Sequence, residues 1–207
     1  MNALMLLIPL LALVAGESAM AYEQPKYEVV RSTSDFELRQ YASYAVAETI
    51  ASGDFDDARN AAFLRLFDYI SGNNRAKQKI EMSIPVISRP AGEKIEMTVP
   101  VMTRTVDGTG TLMHFVLPSR FGASTAPEPV DSNIRIRDVG GQLVAARRYS
   151  GRTTENNYRD NERKLLDALS NQRLVPTEVP RFAVYNGPFT PWFLRRNEVL
   201  VPVERRE

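Results

Sequence analysis

The chain of 207 residues has no cysteine and a single histidine, His114. Disulfide frameworks, Cys/His zinc sites, iron–sulfur clusters, thiol catalysis and c-type haem attachment are thereby excluded. A serine triad would have to be built on His114. An excess of either charge is missing too: 26 basic and 25 acidic residues leave a formal net charge of +1. That balance supplies no long-range pull toward nucleic acid or an acidic membrane. No P-loop, G-x-G-x-x-G, G-x-S-x-G or H-E-x-x-H occurs, and no nucleophile–base pair is visible. Carboxylate chemistry, with Asp56-Asp57 and Glu81/Glu96 as the acids on offer, and non-covalent binding remain; a binding protein and not an enzyme is expected. What is present is an ordinary globular composition, 43% hydrophobic and 25% charged, in a length that suits one domain.

Residues 4–15 (LMLLIPLLALVA) form an apolar run of about a dozen, too short for a typical membrane span and suited to the core of a signal peptide. Gly16-Glu17 breaks the run, and Ala19-Met20-Ala21 supplies a small-x-small cleavage pattern. Residues 1–21 are expected to be a signal peptide cut after Ala21, with an uncleaved anchor as the alternative. Residues 22–207 are then a single domain, periplasmic or secreted, with no stable membrane span.

Apolar and polar residues alternate over 36–41, and a second strand follows at 44–51, linked by Ala42-Ser43 as a short hairpin connection. Ser52-Gly53-Asp54 stops the strand and starts a helix over 55–71. Strands at 95–103 and 112–117 follow. Beyond a loop with three prolines (118–129) the order recurs: strands at 134–138 and 142–149, the Ser150-Gly151 break, a helix from Thr153 or Thr154 to Leu169, and strands at 181–185 and 198–203. The halves align without a gap at an offset of 98, with Arg39 on Arg137 and Ser52-Gly53 on Ser150-Gly151. The expected fold is α+β: an eight-stranded distorted antiparallel β-barrel flanked by two α-helices, from a duplicated ββαββ unit at about 35–117 and 133–203. A shorter repeat, KIEMSIPVISR at 79–89 and KIEMTVPVMTR at 94–104, reads as two adjacent strands with similar packing needs.

These segments resemble the SOUL / haem-binding protein family. The matching pieces are Tyr69-Ile70-Ser71-Gly72-Asn73-Asn74, the doubled Ile-Glu-Met-Ser/Thr-x-Pro-Val, His114-Phe115-Val116-Leu117-Pro118 and Pro127-Glu128-Pro129. After them come Tyr149-Ser150-Gly151, Ala183-Val184-Tyr185-Asn186, Gly187-Pro188-Phe189-Thr190-Pro191 and Arg195-Arg196-Asn197-Glu198-Val199. They fall in family order across about residues 27–203. The resemblance implies reversible, non-covalent binding of haem or another tetrapyrrole in an apolar cleft along the first helix. Some members carry a histidine just before the Tyr of E-x-R-x-Y, proposed as an iron ligand; the matching residue here is Gln40. Some also carry a lysine before R-R-N-E-V, suited to a propionate; 189–194 has none. Iron would be weakly ligated or unligated.

On a helical wheel, Phe55, Ala58, Ala62, Phe63, Leu66, Tyr69 and Ile70 share the core face of the first helix. Leu64 and Phe67 lie off it, beside Asn60 and Ser71. Asn60, Leu64, Phe67 and Ser71 form one stripe and are the expected ligand-binding residues, with Leu64 and Phe67 stacking on a flat macrocycle. Arg59 and Arg65 are candidates for pairing with its carboxylates. His114, on a strand, reads as a structural residue with ligation as the lesser alternative, and no metal-binding residue is assigned. Met82, Met97 and Met102 are thioether candidates, with core filling the favoured reading. Glu198 and Asn197 are expected to tie the last strand to its neighbours, with an arginine on a carboxylate. The function expected is binding of haem or a related tetrapyrrole for carriage, buffering or sensing. The alternative is a non-catalytic module for another small amphipathic ligand or a protein partner.

Overall fold

The computed structural model describes residues 23–90, 110–187 and 189–206. Within them, ten strands and two helices follow one another as β1 (Tyr27–Ser32), β2 (Glu37–Tyr41), β3 (Tyr44–Ser52), α1 (Phe55–Ile70), β4 (Val86–Pro90), β5 (Gly110–Val116), β6 (Ile134–Val139), β7 (Gln142–Tyr149), α2 (Glu155–Ser170), β8 (Leu174–Pro176), β9 (Arg181–Val184) and β10 (Asn197–Arg205). All strand pairs are antiparallel, and the sheet curls into a half-barrel with both helices on its outer face. Two strands, β1 and β8, exceed the eight expected. β1 is an exposed edge strand whose residues lack the alternation of a half-buried one. The expected strand at 95–103 lies outside the described residues, and β4 takes the place beside β5.

The duplication is visible in the strand order β1-β2-β7-β10-β9-β4-β5-β3-β6. Outward from the centre, β9 answers β4, β10 answers β5, β7 answers β3 and β2 answers β6. The register agrees as well. Leu38 faces Ala145 across β2 and β7, and Ile136 faces Ala47 across β6 and β3. The pseudo-twofold runs through the β4–β9 pair, where Ser88 opposes Phe182.

The link at Ala42-Ser43 is not a hairpin. β2 pairs with β1 and β7, while β3 pairs with β5 and β6. The same holds for β6 and β7 around Gly140-Gly141. The reason is which helix each strand covers. Leu38 of β2 packs with Tyr158 and Leu165 of α2, whereas Ala45 and Ala47 of β3 pack with Ala62 and Leu66 of α1. A hairpin would set both strands under one helix and leave the other uncovered. A third cluster, with Tyr41, Val46, Ile87, Val116, Val144, Tyr185 and Leu200, fills the concave face.

Both helices begin the same way. Gly53 and Gly151 hold φ of +130° and +116°, turning the chain out of the sheet where a side chain is disfavoured. Asp54 and Thr154 then cap the helices, accepting from the N–H of Asp57 and of Asn157. A Cβ on Gly151 would stand 2.7 Å from Asn157 Nδ2. Gly151→Ala is expected to cost about 1–3 kcal/mol, seen as a lower midpoint in thermal denaturation, with the Asn157 side chain displaced from the Arg152 carbonyl it now reaches at 2.9 Å.

Candidate functional site

Of the core side that the wheel predicts for α1, Ala58, Ala62, Leu66, Tyr69 and Ile70 are buried, while Phe55 and Phe63 are only partly so. Tyr69 also donates to the Pro127 carbonyl at 2.8 Å, pinning the end of α1 to the proline-rich loop. Leu64 and Phe67 are 56% and 46% exposed. Among the described residues they are the large exposed apolar side chains on either helix.

Two depressions run along one flank of α1. The first, about 450 Å³, is lined by Asp56, Arg59, Asn60 and Phe63 of α1, and by Met82, Ile84, Val86, Met113, Val184, Tyr185 and Arg195 opposite. The second, about 670 Å³, is lined by Phe67, Ile70 and Ser71 of α1, with Ile80, Met82 and Pro118 opposite. Met82 lines both. The Phe63 and Phe67 rings stack across the junction at 5.9 Å and 13°. Both volumes fall in the range of small-molecule sites.

The expected stripe is thus divided by the structure. Asn60 lines the first depression, Phe67 and Ser71 the second, and Leu64 lines neither. Phe63, assigned to the core face from the sequence, is only partly buried and supplies groove wall as well as packing against Phe115. Met82, Met113, Tyr185 and Arg195 come from other elements, so no helical wheel could place them here.

Arg59 gives the first depression its polar end. Its Nη1 donates to the Thr153 carbonyl at 3.2 Å and lies 3.6 Å from Asp56. Its guanidinium sits 5.1 Å from the Phe55 and Phe182 rings. Nε is buried with no hydrogen-bond partner, and burial pushes the guanidinium pKa down. A carboxylate entering here would satisfy that donor with a charge-assisted bond. Arg65 is engaged elsewhere, with Asp131 at 3.2 Å and the Ile50 carbonyl at 3.0 Å.

The concave face holds two polar clusters. In one, Glu198 accepts from Arg39 Nη1 at 2.7 Å and Nη2 at 3.0 Å, from Tyr185 Oη at 2.6 Å and from Arg196 Nη2 at 2.7 Å. Burial raises its carboxyl pKa, but Arg39 and the other donors outweigh burial and hold it below the usual value. Asn197 Nδ2 reaches the Gly151 carbonyl at 3.1 Å, so this motif ties strand ends together.

In the other, His114 lies on β5 between Glu48 of β3 and Ile87 of β4. It is 2% exposed, with Nδ1 3.5 Å from Glu48 Oε2. Burial pushes its pKa down, with Arg181 and Arg137 nearby acting in the same direction. The Glu48 carboxyl is held down to about 2, by His114 first and then by Arg137 at 2.7 Å. His114 therefore faces the barrel interior, on the opposite side of β5 from Met113, which lines the α1 groove. Gln40 is exposed on β2. Among the described residues no cluster of three metal-ligating side chains occurs, and no helix is long and apolar enough to cross a membrane.

The chain is similar to heme-binding protein 1 of Xenopus tropicalis, 30% identical over 167 residues that cover 79% of this chain and 81% of the relative. It is 24% identical to heme-binding protein 2 of Mus musculus over 205 residues, covering 92% and 94%. The fold is shared with the EcmrR C-terminal domain, with a TM-score of 0.57 at 12% identity over 86% of this chain and 98% of that one. The profile of the SOUL heme-binding protein family matches residues 22–92 and 88–202, nearly the whole described length, and the chain belongs to that family.

Proposed function

We propose that this protein binds haem or another tetrapyrrole non-covalently along α1, for carriage, buffering or sensing, without turnover. The observation that carries the reading is the groove itself. It is a mainly apolar trough with a stacked Phe63–Phe67 pair along its wall, the unsatisfied Arg59 Nε at one end, and Lys79 and Glu81 also lining its second half. A tetrapyrrole is a flat apolar disc with carboxylates on its rim. The disc would lie against Phe63, Phe67 and Met82, with Asn60 and Ser71 at its edges, Leu64 flanking it and a propionate toward Arg59. No imidazole of the described chain lines the groove. The iron would be met by thioether sulfur from Met82 or Met113, or by none, which suits a protein that releases its ligand. Membership of a heme-binding family supports the ligand class.

We further propose that residues 1–21 direct export and are removed after Ala21, so that the domain works in the periplasm or outside the cell. The apolar run followed by Ala19-Met20-Ala21 supports this.

The test is a haemin titration of the chain from residue 22, followed by absorbance. A saturable change in the Soret band is expected at micromolar haemin, and its absence would sink the reading. Phe67→Asp is expected to weaken binding at least about tenfold by placing a charge against the macrocycle. Leu64→Asp, at the margin, is expected to weaken it less. Native mass spectrometry of the purified protein would reveal a different amphipathic ligand if one occupies the groove.

A further inference from the structure

The turn between β9 and β10 carries apolar surface that the fold leaves uncovered. Phe189, Trp192, Phe193 and Leu194 are 98%, 52%, 58% and 65% exposed. Residues 190–195 of it are nonetheless well held. Residues Trp192–Leu194 form a single 3₁₀ turn. The Trp192 carbonyl accepts from the Gly151 N–H at 3.1 Å, Arg195 Nε donates to the Thr190 carbonyl at 2.8 Å, and the Trp192 and Phe193 rings meet edge to face at 5.6 Å. Burying none of these four side chains in the fold is costly in water, and the backbone that presents them is tied to the helix-start loop at Gly151.

We propose that this turn docks the protein on a phospholipid bilayer, with Phe189, Trp192, Phe193 and Leu194 inserted at the level of the headgroups and upper acyl chains. The residue types fit that layer, where aromatic rings with an apolar body are favoured. The size of the surface separates a bilayer from a protein partner. At roughly 150–250 Å² for a whole buried aromatic side chain, the exposed parts of four residues amount to a few hundred Å². A stable protein interface needs about 800 Å² on each side. A lipid surface needs no complementary shape and accepts a small protruding tip. Exposed Arg152 lines the same depression as Phe189 and Trp192, where it would meet phosphate. With a net charge of only +1, insertion of the apolar tip supplies the affinity and anionic lipid adds to it. This depression shares Asp56, Thr153 and Arg195 with the α1 groove. Docking by the turn therefore sets the groove mouth beside the bilayer, where an amphipathic ligand would partition. That consequence rests on the ligand reading of the groove; the docking does not.

Trp192 is the sole tryptophan, so its fluorescence reports insertion directly. Every described strand and helix lies within residues 22–207, so the chain from residue 22 is titrated with vesicles of phosphatidylcholine, alone and mixed with phosphatidylglycerol. The expected result is a shift of emission to shorter wavelength and co-sedimentation with both, stronger with the mixture. The Phe189→Ser/Phe193→Ser double variant is expected to lower the partition coefficient at least about tenfold with an unchanged melting temperature. Emission that stays fixed through the titration, or a double variant that binds as well as the parent, overturns the proposal. So does an emission shift that follows protein concentration without vesicles, which would make the turn a contact between copies of the chain.

Discussion

Replacing Glu198 with alanine is expected to cost about 3–5 kcal/mol of folding stability, enough to unfold a marginal domain. Glu198 is fully buried, and Arg39, 2% exposed, donates to it from both of its Nη groups. With the carboxylate gone, the Arg39 guanidinium keeps only Glu37 at the barrel rim as a countercharge. Tyr185 and Arg196 lose an acceptor as well. Removing one partner is therefore much worse than never having made the pair. The double variant Arg39→Met/Glu198→Leu is expected to recover the part of the loss that comes from the stranded Arg39 charge, whose space it fills with apolar atoms, while Tyr185 and Arg196 still lack their acceptor. Guanidinium chloride denaturation of the parent and the two variants checks this. A cost below about 1 kcal/mol for Glu198→Ala would place the pair in the class of solvated surface bridges.

Acid is expected to destabilise the protein in two stages, and the first should belong to His114. Its folded-state pKa lies below that of the unfolded chain because the ring is buried. Below about pH 6.5 the unfolded chain takes up a proton that the folded chain refuses, so stability falls as pH drops through that value and is unaffected above it. Glu48 acts lower. Its carboxyl is held to about 2 against a model value of 4.5, so its stabilising effect is complete above 4.5 and is lost as pH falls from there toward 2. Glu198 is depressed in the same direction and adds to this second stage. The charges facing the ring are Glu48, Arg137 and Arg181. His114→Leu places at this position the residue type that its pseudo-symmetric counterpart, Leu200, already has. The variant is expected to abolish the decline between about pH 6.5 and 4.5 and to shrink the Glu48 part of the second stage, which rests first on His114, while leaving the Glu198 part. Denaturation midpoints measured from pH 8 to pH 3 distinguish the two stages. A parent protein with a flat profile down to pH 4.5 would contradict the burial of a neutral imidazole.

Local chemistry was legible in the chain because it depends on near neighbours. The Ser-Gly breaks at 52–53 and 150–151 mark strand ends because glycine alone readily takes the positive φ that both turns require. The helix starts follow from Asp54 and Thr154, side chains that satisfy amide groups only three residues away. The surplus of apolar surface on α1 was visible from Leu64 and Phe67, since a helix has one core-facing side and these residues lie off it. The duplication also showed, because two copies of one unit preserve the same alternation at the same offset.

Tertiary structure decided the rest. Alternation says which side of a strand is apolar, but not which strand lies beside it, so the exchange of β2 and β3 between the two halves could not be read from Ala42-Ser43. Arg39 and Glu198 are 159 positions apart, and only the β2-β7-β10 neighbourhood brings them together. Phe63 belongs to the core by its angle on the helix, yet it also forms groove wall because Met82 and Met113 approach it from other elements. The composition alone established that no thiol and only one imidazole exist in this chain. The fold decided that the imidazole is buried in the barrel, away from the groove, because β5 turns alternate residues to opposite faces of the sheet.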